Sequence, residues 1–266
     1  MSSLACCKGD IDKAIPQGRI ETIAGHNVYV AKPASFNPNS SIKLVVIATD
    51  IFGYTLANPR LVADKYAAKG YLCLVPDLFK GTEASASMMA AADDMSSEKS
   101  GFGSKILGFG SVLWNMSGFL LRNNAAGGCK IVEDVITEAR SKYSLTNVYL
   151  QGYCWGGTIG IKLAQKVGVV DAVVAAHPGP ISFPTDIQNL VTPIFFALAE
   201  KDDFVKEKHW AEMRALLAKK EGFKYSLEIF EKTDHGFAVR GSETDEFVNM
   251  QRQKAFDAAV AFFESV

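Results

Sequence analysis

The chain of 266 residues lacks most of the features that would assign it quickly to a special class. It has no excess of charge: 28 basic residues stand against 29 acidic ones, for a net charge of −1. The bases are scattered rather than clustered, so there is no electrostatic footprint for nucleic acid or for an anionic membrane surface. There is no long uncharged apolar run. The stretch 106–121 comes closest to a membrane-spanning length and is interrupted by Gly and Asn, which reads as loop plus short helix. The first ten residues contain no apolar core of the secretory-signal kind. Cysteine is scarce and odd in number, at positions 6, 7, 73, 129 and 154. That spacing fits neither a disulfide framework nor a zinc site. A reducing, cytoplasmic setting is the expectation, with no metal and no cofactor. Cys6 and Cys7 read as a surface segment, with a redox or metal role as the alternative.

What is present is a full complement of core formers, 48% hydrophobic against 21% charged residues, ordinary for a globular domain. Apolar runs at 44–48, 71–76, 147–151, 172–176, 193–198 and 225–230 read as strands buried on both faces. Helix-period stretches lie between them at 59–68, 128–142, 158–167 and 206–220, with another at 246–263. Strands alternating with helices predict a doubly wound, mostly parallel sheet. Residues 27–31 are expected to form an N-terminal edge strand, antiparallel to the rest. No linker divides the chain, so one domain is expected, with residues 1–24 as an N-terminal extension. The rhythm breaks over about 83–127, a small-residue cluster followed by a Gly-rich aromatic part, expected to be a cap-like insertion lining a pocket.

The sharpest motif is Gly152-Tyr153-Cys154-Trp155-Gly156-Gly157, placed between a predicted strand and a predicted helix. That is the context of a nucleophile elbow of the α/β-hydrolase type. The turn is sharp enough that a Cβ two residues to either side of the nucleophile would clash, which calls for Gly152 and Gly156. Cys154 would sit at a helix N-terminus, where the dipole and free N–H groups favour the thiolate, with the Trp155 N–H directed at a developing oxyanion. A buried structural cysteine in a Gly-rich turn is the alternative. Elbow enzymes carry the acid and then the histidine after the nucleophile, each beyond a later strand. Of four histidines, His235 in Asp234-His235-Gly236-Phe237 satisfies that order. His177 follows a strand too early, and His26 and His209 are expected at the surface. For the acid, Asp202, four residues past its predicted strand, leads Asp203 and Glu200. Asp203 also reads as a helix N-cap.

With Cys154, Asp202 and His235 in these places, the chain resembles the dienelactone hydrolase (carboxymethylenebutenolidase-like) family, and its fungal members in particular. The likeness runs from about residue 25 to 263 and rests on Thr49-Asp50-Ile51-Phe52-Gly53, Pro76-Asp77-Leu78-Phe79-Lys80-Gly81-Thr82, the cysteine elbow and Asp234-His235-Gly236-Phe237. It implies a Cys-His-Asp triad acting on an ester or enol-lactone through an acyl-thioester. It also implies that the Ile51 N–H joins Trp155 in the oxyanion hole and that Asp50, Phe52, Lys80 and Arg240 bind substrate or touch the resting thiol. In the family's prototype Glu stands where this chain has Asp50, and two arginines clamp a substrate carboxylate. Arg240 stands one residue later than one of them, and Phe79-Lys80 replaces a Tyr-Arg pair. A larger or less charged substrate is therefore expected, walled by Phe102, Phe109 and Trp114. The expected partner is a small-molecule ester or lactone, with no nucleic acid and no membrane, for a monomer or homodimer. A redox-sensing or ligand-binding protein, or a ring-rearranging biosynthetic enzyme, on the same fold are the alternatives.

Overall fold

The computed structural model describes residues 9–89, 116–242 and 244–266. Phe102, Phe109, Trp114 and most of the expected insertion lie outside the described residues. Of the insertion, residues 83–89 and 116–127 are described; 116–122 are helical.

The apolar runs form one eight-stranded sheet in the order β1-β2-β4-β3-β5-β6-β7-β8. In chain order the strands are β1 Arg19–Ile23, β2 His26–Ala31, β3 Ile42–Ala48, β4 Leu72–Pro76, β5 Leu145–Tyr153, β6 Ala172–Ala176, β7 Ile194–Lys201 and β8 Tyr225–Asp234. From β4 through β8 every pairing is parallel; β1 and β2 are antiparallel. The helices are α1 Ala57–Ala68, α2 Ala125–Lys142, α3 Trp155–Leu163, the short α4 Thr185–Gln188, α5 Glu207–Ala218 and α6 Glu246–Glu264. The continuous apolar runs are explained by helices on both faces. Leu44, Val46 and Ala48 share one core with α2, α3 and α5, whereas Val45 and Ile47 point the other way, into a core shared with α1 and α6.

Three details differ from expectation. β2 is antiparallel, as expected, but it is not the edge, because β1 covers its outer side. The charged, half-exposed run Arg19-Ile20-Glu21-Thr22-Ile23 is the guarded composition of an edge strand and carries no strong apolar period. Second, β7 and β8 run on to pair Lys201 with Asp234, across an irregularity between Ala199 and Lys201. Asp202 is therefore the first residue after its strand rather than the fourth, and His235 likewise follows β8 directly. Third, Lys206, not Asp203, caps α5, with the His209 ring accepting from the Lys206 N–H at 3.2 Å.

A strap precedes the sheet. The Asp10 N–H donates to the Gly241 carbonyl at 3.0 Å. The fully buried Asn58 amide of α1 donates to the carbonyls of Asp10 at 3.0 Å and Val239 at 3.3 Å, and Arg252 of α6 pairs with Asp12 at 2.5 Å. Residues 9–12 thus fasten the loop after β8 to the two helices of one face.

Candidate active site

Because β3 and β5–β8 are parallel, their C-terminal ends share one edge of the sheet. The loops there carry Asp50 and Ile51, Cys154, His177, Asp202 and His235. This edge is where open α/β sheets place ligands.

Cys154 ends β5 and caps α3 with φ 51° and ψ −113°, a left-handed-side conformation that a non-glycine residue adopts only where the surroundings enforce it. The enforcing contacts are tight. The Cys154 N–H donates to the Ala176 carbonyl at 3.2 Å and the Gly156 N–H to the Thr49 carbonyl at 2.9 Å, while the Cys154 carbonyl accepts from Gly179 at 2.9 Å. A Cβ on Gly152 would lie 2.8 Å from the Gly157 Cα, and one on Gly156 would lie 2.8 Å from the Thr49 oxygen and closer still to the Ala48 carbonyl. The glycines are thus where the turn leaves no room. Trp155 opens α3, so its N–H belongs to the helix end that has no intrahelical acceptor. The Cys154 side chain is buried, 2% exposed.

His235 Nδ1 lies 2.8 Å from Asp202 Oδ2. The other carboxylate oxygen, Oδ1, accepts from the Phe204 N–H at 2.8 Å. Both side chains are essentially sealed from solvent. Asp202 therefore holds the imidazole at one nitrogen and is itself held. Asp203, by contrast, is exposed, its carboxylate 3.8 Å from Lys206. Glu200 Oε2 accepts from the Lys232 backbone at 2.8 Å.

Asp50 is buried, not solvated. Its Oδ1 accepts from the Phe52 N–H at 3.0 Å, its carbonyl accepts from the Gly53 N–H at 3.1 Å, and its Oδ2 pairs with Arg240 Nη1. Those turns use the Phe52 and Gly53 N–H groups and not that of Ile51. The Arg240 side chain is fully buried, with its guanidinium 5.2 Å from the centre of the Phe52 ring. The structure so brings Asp50, Phe52 and Arg240 together. Lys80 stands apart from them: exposed, in the turn beyond β4, it lines a hollow with His26, Asp77 and Glu83.

Sequence order alone sets His177 aside, yet the structure places its ring against His235, with centroids 5.0 Å apart. Burial, with His235 beside it, pushes the His177 imidazole well below the usual histidine range. The signal available in the sequence was its place immediately after β6.

Among the described residues, no group of three or more His, Cys, Asp or Glu side chains could hold a metal ion, and no helix is long and apolar enough to cross a membrane.

Residues 27–266 match the family model for the dienelactone hydrolase family. Hydrolase tropI of Talaromyces stipitatus is 29% identical over 99% of this chain and 96% of its own length. Dienlactone hydrolase 1 of Gibberella moniliformis is 24% identical over 99% and 93%, and the carboxymethylenebutenolidase homolog of Xenopus tropicalis 28% identical over 91% and 89%. Among solved structures, a dienelactone hydrolase-like promiscuous phosphotriesterase from metagenomic libraries superposes with a TM-score of 0.65 at 12% identity, covering 93% of this chain and 98% of that one. A thermophilic esterase of Thermogutta terrifontis superposes with 0.62 at 14% identity, covering 94% of each. At those identities the likeness establishes the shared fold. With nine-tenths of its length matched by the family model, the chain belongs to the dienelactone hydrolase family, a family of carboxylic-ester and lactone hydrolases.

Proposed function

We propose that the chain hydrolyses an ester or enol-lactone with Cys154 as nucleophile, His235 as proton carrier and Asp202 as the acid that orients it. The observation that carries this reading is the elbow itself: Cys154 is held at φ 51° on the N-terminus of α3, on the same sheet edge as a histidine whose Nδ1 is bound to a buried carboxylate. A structural cysteine has no need of that backbone strain.

The substrate carbonyl oxygen enters a hole made by the Ile51 and Trp155 N–H groups. The Cys154 thiolate adds to the carbonyl carbon. The tetrahedral adduct collapses, the C–O bond to the leaving group breaks, and the departing alkoxide or enolate takes its proton from the His235 imidazolium. The acyl group remains as a thioester. Water then gives a proton to His235 as it attacks the thioester, and the thiolate leaves with its bonding pair, restoring the resting ion pair. An enolate departs readily and suits a thiolate; an amine leaving group does not, since the thiolate would be expelled first. Asp202 accepts the Nδ1 proton, fixes the tautomer and offsets the imidazolium charge.

The test is a panel of aryl esters, thioesters and enol-lactones with the wild type, Cys154→Ala and Asp202→Asn. Cys154→Ala is expected to be inactive and Asp202→Asn to lose about 10²-fold or more in kcat. Equal turnover by the wild type and Cys154→Ala removes the nucleophile assignment.

A further inference from the structure

The Asp202 bond fixes His235 at one atom. One such bond does not by itself set the plane of a ring, and that plane decides where its other nitrogen, the one that must address the sulfur, points. Among the described residues, Phe204, at 5.0 Å between centroids and 59°, and His177, at 5.0 Å and 66°, pack on His235. Phe204 is the residue whose N–H also holds Asp202. His177 is less easily explained as core. It is fully buried, yet among the described residues neither ring nitrogen has a hydrogen-bond partner, a cost that an apolar ring would avoid. Its backbone has φ 34°, a region where histidine is enriched over bulky apolar residues. Its own ring is fixed on Tyr153, at 5.8 Å, and on Phe237, at 5.7 Å. Its backbone N–H is tied to Ala197 at 2.7 Å, and the loop that it opens reaches the Cys154 carbonyl through Gly179.

We propose that His177 is a positioning residue for the base: its ring sets the plane of His235, while its unusual backbone keeps the loop between base and nucleophile in register. The inference rests on the reading of His235 as the proton carrier. Its burial keeps it uncharged, so it does not compete with His235 for the proton.

The consequence is a split that a purely structural role would not give. A displacement of about 1 Å at a reacting group costs on the order of 10²-fold in rate, so kcat carries the effect and KM does not. His177→Asn keeps a residue tolerant of positive φ but removes the ring, and His177→Gly does the same without a side chain. His177→Phe keeps a ring and loses the nitrogens. With an aryl ester, the Asn and Gly proteins are expected to melt cooperatively, with kcat lowered about tenfold or more and KM within about twofold of wild type. The Phe protein is expected to recover most of kcat. Wild-type kcat in either ring-less protein, a defect confined to KM, or a folded Phe protein as slow as the Asn one would overturn the proposal. If Phe at φ 34° does not fold, the Asn and Gly proteins decide alone. His235→Ala, run alongside, separates the two levels: if it is as active as wild type, the base assignment falls and this inference with it. If it is inactive while His177→Asn is not, this inference alone falls.

Discussion

The ion pair between Asp50 and Arg240 joins two loops 190 residues apart in sequence, one carrying the Ile51 donor and the other following His235. Neither partner reaches water: the side chains are 4% and 0% exposed. Bringing both charges inside is costly, and their attraction repays that cost only while both are present. Arg240→Met leaves the Asp50 carboxylate buried and uncompensated, which costs about 3–5 kcal/mol. At about 2 °C per kcal/mol for a domain of this size, melting should fall by about 6–10 °C. Asp50→Asn should cost a comparable amount. The double variant should recover most of the loss, because no lone charge remains, so the cycle should show a coupling of at least about 2 kcal/mol. Urea unfolding of the four proteins measures it. Additive effects, or a loss under about 1 kcal/mol for Arg240→Met, would refute the account. The same four proteins also separate cement from clamp. If Arg240 grips a substrate carboxylate, the double variant should lose turnover of anionic esters far more than of neutral ones. A merely structural pair predicts equal losses.

Two further outcomes follow from the same geometry. Gly156→Ala drives a Cβ into the Ala48 carbonyl of a central strand, an unyielding neighbour, so it should cost about 4 kcal/mol or more; a soluble variant melting near wild type would show that the elbow is looser than described. His177 stays uncharged when folded but takes a proton below about pH 6.5 when unfolded. The unfolded state then binds more protons, so stability falls as pH drops through that range, by at most about 1.4 kcal/mol per pH unit for this group. His177→Phe should show a shallower loss between pH 7 and 5, and identical slopes would contradict the burial argument.

Patterns of short range were readable in advance. The strand at 172–176 stands where the apolar run places it, and the cysteine elbow is written out in six consecutive residues whose glycines the turn requires. The proximity of His235 and Asp202, the proposed base and acid, was accessible through chain order, because each follows a strand of a parallel sheet and must emerge on the same edge. What did not show was pairing across long separations. Nothing near Asp50 announces Arg240, and the family resemblance cast Arg240 as a substrate contact rather than as the partner of a buried carboxylate. β1 was missed for a related reason: its stability comes from β2 beside it rather than from its own apolar period. His177 was weighed as a rival base, since chain order reports which loop carries a residue but not which rings meet between loops.

The strap and β1 bear on how this protein can be handled. The family match begins at residue 27, an inviting boundary for a recombinant fragment. A chain cut there would lack β1 and bare the backbone edge of β2, whose Val28-Tyr29-Val30-Ala31 run is buried, an invitation to intermolecular strand pairing. It would also lack Asp10 and Asp12, leaving the Asn58 amide without the Asp10 acceptor and Arg252 without its acidic partner. The loop behind His235 would lose its fastening, so such a fragment would combine poor solubility with impaired turnover. Residues 9–26, outside the family match, therefore belong in any expressed form of the chain.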